Sequence, residues 1–131
     1  MTLRQTADRA APHLLSLLRI MSALLLYQHA FSKFFGWPVA GMTPETFTLI
    51  WFAGVIELVG ATLLLLGLCT RAAAFILSGE LAFAYFIAHA PNGFYPLANR
   101  GEGAVLFCFI FLYIAAAGAG PWSLDARLRK A

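Results

Sequence analysis

Four long apolar runs divide the chain: Leu14–Phe35, Phe47–Gly67, Ala72–Ala90 and Gly103–Trp122, of 22, 21, 19 and 20 residues. A helix needs about 20 apolar residues to cross the hydrocarbon core of a bilayer. The runs do not alternate in polarity, and they are about twice as long as the ~10-residue strands of a membrane barrel. They therefore predict helices. The first run carries Arg19, His29 and Lys33, but its seven leucines favour insertion by up to about 0.6 kcal/mol each. Arg19 and Lys33 sit near its two ends, where long side chains can snorkel. Its apolar stretch is too long for the core of a cleaved signal peptide, and no A-x-A site follows.

The connections are short. Gly36–Thr46 contains Pro38, Gly41 and Pro44; Leu68–Arg71 has four residues; Pro91–Gly101 contains an Asn92-Gly93 turn and Pro96. The four-residue connection forces its flanking helices into an antiparallel hairpin, and no connection can hold a second domain. The expected architecture is all-α: one domain over residues 1–131, an integral membrane four-helix bundle running up-down-up-down.

Composition agrees. The chain is 61% apolar and 11% charged, against about 45–50% and 25% in soluble domains. That excludes a solvated enzyme domain, a nucleic-acid module and a disordered chain, and it makes the lipid bilayer the first partner. The net charge of +3 is distributed unevenly. With four spans, Arg4, Arg9, Arg71, Arg127, Arg129 and Lys130 share the side of the termini, and Lys33 and Arg100 the other. The positive-inside rule places both termini in the cytoplasm. Trp37, Trp51 and Tyr95 then fall near the outer interface and Trp122 near the inner one.

Chemistry must come from the few polar residues inside the spans, where ionisable groups are costly and face the protein interior. At 100° per residue, Arg19, Ser22, Leu26, His29 and Lys33 fall within an arc of about 80°. Glu57 is eleventh of 21 residues in the second run. It shares a face with Ala53, Gly54, Gly60 and Ala61, small residues that admit a neighbouring helix. Glu80 is ninth of 19 in the third run. Two carboxyls at similar depth on paired helices, where they meet, keep a proton or are neutralised by a cation such as Arg19; with its basic partners the pair then handles protons or contacts a ligand, or else is a structural polar lock.

A second set gathers at the outer mouth: His29, Lys33, His89, Asn99, Arg100 and Glu102. Such a set can hold a polar headgroup such as a quinone carbonyl. For two members a simpler role is available: Glu102 as an N-terminal helix charge and Asn99 as a turn residue. His89 follows Glu80 by nine residues, or about 180° on a regular helix, so the two face one site only if the helix bends. Three scattered histidines and no C-x-x-C argue against a metal or haem site. Cys69 and Cys108 lie at different depths and are not expected to pair.

In HAFSKFFG (His29–Gly36), GVIELVGATLLLLGLCTRAAA (Gly54–Ala74), AYFIAHAPNGFYPLANRGEGAVLF (Ala84–Phe107) and AGAGPWSLD (Ala117–Asp125) the chain resembles the DoxX family of small four-span bacterial membrane proteins. The resemblance covers about Arg19 to Asp125. It implies a bacterial plasma (inner) membrane location and singles out His29, Lys33, Glu57, Arg71, His89, Asn99, Glu102 and Asp125. Glu80 is added by its depth alone. Arg71 and Asp125 are read as structural. The family is named for a subunit linked to an archaeal terminal quinol oxidase. Related four-span proteins form the membrane part of thiosulfate:quinone oxidoreductase, some relatives associate with detoxifying redox enzymes, and distant eukaryotic relatives act in assembly or trafficking.

Three readings follow. The first is a membrane subunit or partner of a redox system that binds quinone or quinol, with His29, Lys33 and Glu102 on the headgroup and Glu57 and Glu80 relaying protons. It includes a soluble or membrane redox partner or self-association. The second is a non-enzymatic scaffold or assembly factor whose buried charges fix the helices. The third is a small proton-coupled transporter, which would need to oligomerise to build a path.

Overall fold

The N-terminal segment Leu3–Ala11 is rich in good helix formers and begins with a capping box. Thr2 Oγ1 accepts from Gln5 N at 3.2 Å, while Gln5 Oε1 accepts from Thr2 N at 2.9 Å. The first helix therefore starts eleven residues before the apolar run. In the computed structural model, which describes residues 1–41 and 43–131, α1 spans Leu3–Phe35, 33 residues. At 1.5 Å per residue that is about 50 Å, some 20 Å more than the hydrocarbon core. Gly36, left-handed at φ 64°, ends it.

The chain continues as α2 (Leu49–Leu66), α3 (Thr70–Ala84), the short α4 (Pro96–Asn99), α5 (Glu102–Ala117) and the short α6 (Leu124–Leu128). No strand occurs among the described residues. Three helices are long and apolar enough to cross a membrane: Leu3–Phe35, Leu49–Leu66 and Thr70–Asn92, the last being α3 with its continuation. The fourth apolar helix, α5, has 16 residues, about 24 Å. It stops at Ala117, five residues short of the expected Trp122, because Gly118 and Gly120 have positive φ of 92° and 76° and Pro121 cannot donate a helical hydrogen bond. Met42, in the expected first connection, lies outside the described residues.

α1 packs on α2, α2 on α3, and α3 most extensively on α5; α1 and α5 touch little. The core between them is small and apolar: Ala23, Leu26, Ala61, Leu64, Ala73, Ala74, Leu77, Phe111 and Ile114. α2 and α3 pack tightly where Gly60 faces Leu77, since a Cβ on Gly60 would lie 2.7 Å from Leu77 Cγ. Exposed Leu, Ile and Phe cover the remaining outer surface, as expected of helices solvated by lipid.

The end carrying both termini is held by polar groups that bind backbone. Arg19 is fully buried and donates to Ala119 O at 2.7 Å and Trp122 O at 2.6 Å. It does not snorkel as expected, because the segment Gly118–Ser123 folds back over it. Cys69 begins α3 in the left-handed region, φ 49°, with no side-chain cap of its own. Asp125 replaces that cap from 55 residues away, accepting from Cys69 N and Thr70 N, both at 2.9 Å. Burial would raise the Asp125 carboxyl, but these hydrogen bonds, with the charge of Arg129, outweigh it and hold the group below the usual carboxylate range. Arg71 donates to Ala115 O at 3.1 Å and to Ala116 O, the orphan carbonyls at the end of α5.

Candidate functional site

The opposite half of the molecule is built differently. α2 and α3, tight at Gly60 and Leu77, diverge toward the other end and leave a cavity of about 680 Å³. Its walls are Leu49, Ile50, Phe52 and Ile56 of α2 and Phe75, Ile76, Phe83 and Ile87 along α3 and its continuation. All eight are exposed side chains of the apolar outer surface. Gly79 leaves a gap in the α3 wall, with no atom within 4 Å of where its Cβ would be. The lining also carries polar groups: Glu57 is buried, Lys33, Glu80 and His89 are half-buried, and His29 and Arg100 are exposed.

Lys33 and Glu57 form an ion pair. Lys33 Nζ donates to Glu57 Oε2 at 2.6 Å, with side chains 12% and 4% exposed. The last two turns of α1 place Lys33 there, and Gly54 lets α1 approach, since a Cβ on Gly54 would meet Phe34 and the Lys33 stem at 3.1–3.3 Å. The cation that neutralises the mid-depth carboxyl is thus Lys33. The expected partner Arg19 is committed to backbone carbonyls at the other end, and Lys33 turns inward instead of snorkelling. Glu80 lines the same cavity, and its Oε2 is buried with no hydrogen-bond partner in the structure. His29 presents its ring edge-on to Phe107, centroids 6.2 Å apart.

His89 reaches this cavity because α3 does not continue as a regular helix. Residues Tyr85–His89 form a π-helical turn, closed by Ala90 N donating to Tyr85 O. A π turn absorbs one extra residue. The separation from Glu80 to His89 then counts as eight residues, not nine, and the angle falls from about 180° to about 80°. Glu80 and His89 accordingly share one cavity. This is the bend that the spacing required, and no residue in AYFIAHA announces it.

The remaining outer-mouth residues separate by role. Asn99 is buried and organises the turn: Nδ2 donates to Gly93 O at 2.8 Å and Tyr85 Oη at 3.2 Å, and Oδ1 accepts from Gly101 N at 2.8 Å. Its carbonyl is 3.0 Å from His89 Nδ1, fixing that ring. Asn99 therefore positions His89 without lining the cavity. Glu102 is exposed in the first turn of α5 and is not part of the lining; its place is that of a helix N-terminal charge. Of the expected set, His29, Lys33, Glu57, Glu80 and His89 come together, whereas Arg19, Asn99 and Glu102 do not join them. Arg100 joins the set through its left-handed conformation, φ 60°, at the end of α4. Among the described residues no group of three His, Cys, Asp or Glu is placed to hold a metal ion.

The arrangement provides an ammonium donor, a paired carboxylate, an unpaired carboxyl and two imidazoles at the end of an apolar slot. Such a site suits a ligand with a small polar head and an apolar body.

A Haemophilus influenzae "Uncharacterized protein" is 43% identical over 94% of this chain and 96% of its own length. A Mycobacterium tuberculosis "Uncharacterized membrane protein" is 39% identical over 59% of this chain, which spans 53% of that relative. No solved structure matches significantly. The DoxX family profile matches residues 14–90, the stretch that contains α2, most of α1, and Lys33, Glu57, Glu80 and His89. With more than half of the chain matched and helices of membrane-spanning length, the protein is a membrane protein belonging to the DoxX family.

Proposed function

We propose that this protein is a quinone- or quinol-binding membrane subunit or partner of a redox system. In this reading residues 1–131 form one domain in the bacterial inner membrane. α1, α2, α3 and α5 are its four spans, an up-down-up-down bundle with both termini in the cytoplasm. The cavity between the diverging ends of α2 and α3 carries the reading. Its apolar walls are continuous with the lipid-facing surface, so an apolar chain can enter sideways from the bilayer. Its ionisable lining then meets a carbonyl-bearing head.

Reduction of a quinone takes up two electrons and two protons. The electrons come from the redox partner that the reading includes. The chain's own contribution is to hold the head and handle protons. Lys33 Nζ donates a hydrogen bond to one carbonyl oxygen, Glu80 relays the two protons in turn through its unpaired Oε2, each replaced from water, and His29 and His89 flank the ring. Glu57 keeps Lys33 in place and balances its charge.

The scaffold reading has one observation in its favour: Lys33 and Glu57 already satisfy each other at 2.6 Å, so that pair needs no ligand. Quinone extraction from protein purified in mild detergent separates the two. The redox reading expects bound quinone, reduced at least tenfold in His29→Ala and Glu80→Gln while the melting temperature holds. A protein that neither carries nor takes up quinone would leave the scaffold, and variants that retain it fully would refute the site assignment.

A further inference from the structure

A second cavity, also about 680 Å³, lies at the end of the molecule that carries the termini. Ala11, Pro12 and Leu15 of α1 form its apolar side, and Tyr113 on α5 faces it. The segment Gly118–Pro121 forms part of its lining, where two glycines with positive φ present backbone without side chains. Arg71, Arg129 and Lys130 line it as well, against a single carboxylate, Asp8. Asp8 is close to Arg4, at 4.0 Å, and Asp125, the other acid of this end, is bound to the start of α3. None of the three cations forms an ion pair among the described residues. Exposed Trp122 stands at the same level, its ring 5.3 Å from that of His13. Interfacial aromatics of this kind mark the headgroup region of a bilayer.

From this geometry we infer that the groove is a site for an anionic phospholipid of the adjoining leaflet, its phosphodiester held by Arg71, Arg129 and Lys130. Three cations over one carboxylate select a negative head, and a basic pocket between helices at the headgroup level is the chemistry that recognises one. Leu15 and the Tyr113 ring continue the groove toward the hydrocarbon, which favours a lipid over a free anion. The site is separate from the cavity between α2 and α3 and stands or falls independently of it.

The test uses the full chain reconstituted in vesicles of phosphatidylglycerol and phosphatidylcholine in equal amounts. Lipid retained after gentle extraction is counted by mass spectrometry of the intact protein. The wild type should retain phosphatidylglycerol preferentially. Each cation near a membrane surface contributes about fivefold in affinity, so Arg129→Gln with Lys130→Gln should lower that preference by about thirtyfold. Asp8→Asn should raise it. Arg9→Gln with Arg127→Gln removes the same charge from the same end at residues outside the lining, and should leave it unchanged. Equal retention of both lipids, equal loss in both double variants, or displacement of the lipid by millimolar inorganic phosphate would overturn the proposal.

Discussion

Replacing Lys33 by Met tests whether the Lys33–Glu57 pair is a buried electrostatic unit. The side chains are 12% and 4% exposed and 2.6 Å apart, and lipid rather than water lies beyond the apolar walls. Breaking a buried pair strands one charge and costs about 3–5 kcal/mol. Lys33→Met should therefore lose about that much, and Glu57→Met should lose a similar amount by stranding the ammonium. The double variant is different. Two thioether side chains of similar volume remove both desolvation penalties along with the attraction, and such replacements are neutral or stabilising by about 1–4 kcal/mol. For a chain of this size 1 kcal/mol corresponds to roughly 4 °C in melting temperature. Each single variant should melt about 12–20 °C below the wild type, and the double variant at or above it. Far-UV circular dichroism of detergent-solubilised protein reads this directly. Single effects that simply add in the double variant would refute the pair as a coupled unit. In the redox reading the stable double variant still loses quinone, because the donor to the headgroup is gone.

Three further outcomes follow from the geometry. Gly67 is left-handed at φ 66°, and a Cβ there would press on Arg19 Nη1 and Ser123; Gly67→Ala should cost about 2–4 kcal/mol from backbone strain and overpacking together, and a melting temperature within 2 °C of the wild type, roughly half a kcal/mol, would disprove the close approach. Asp125 titrates below the usual range because Thr70 and Cys69 donate to its carboxylate. Its stabilisation is thus present above about pH 4 and lost as pH falls through its lowered pKa; Asp125→Asn should lose about 1 kcal/mol at neutral pH and show a shallower acid limb in unfolding curves. Deleting Phe86, an exposed residue within the π turn, should convert that turn to a regular helix and keep Glu80 and His89 on one cavity, whereas deleting Ala82 from α3 should rotate the outer half by about 100° and destabilise the fold, as limited proteolysis would show.

The spans were legible because lipid imposes a length and a polarity on any helix that crosses it, and Leu14–Phe35 and Phe47–Gly67 meet both. The stripe on α1 was legible in part: Arg19, Ser22, Leu26 and Lys33 turn inward as the 100° geometry requires, whereas His29 is exposed at the cavity. The partners were not. Arg19 and Lys33 look equivalent in sequence, and only the backbone of Gly118–Ser123 folding over Arg19 decides that Lys33 meets Glu57. The π turn left no mark in the sequence, because one absorbed residue needs no particular side chain. The cavity walls were equally silent: Phe52, Ile56 and Phe83 read as any lipid-facing residue, and only the divergence of α2 from α3 makes them a lining.

The two ends of the molecule use their scarce charges in opposite ways, and this contrast points to the site. At the end with the termini, Arg19, Arg71 and Asp125 are bound to backbone groups that helix ends and turns would otherwise leave unsatisfied. Backbone partners cannot move away without unravelling those ends, so Arg19 and Asp125 are committed to the fold, and Arg71 is committed through Nη1 alone. In the cavity between α2 and α3, Lys33 and Glu57 are each other's partners, His89 is held by the Asn99 carbonyl, and Glu80 Oε2 has no partner, as Arg19 Nε and Thr70 Oγ1 have none at the other end. A buried oxygen without a partner costs free energy that neither packing nor a helix end recovers, and a ligand or proton bound there would offset it. Two of the polar residues reach that cavity by unusual backbone, His89 through a π turn and Arg100 through a left-handed residue. Burial alone therefore does not distinguish function from structure in this chain, since Arg19 is more buried than Glu80. In the redox reading the distinction lies in whether the polar partner is fixed backbone or an exchangeable group, and by that measure Lys33, Glu57 and Glu80 are the cavity residues whose partners can be exchanged.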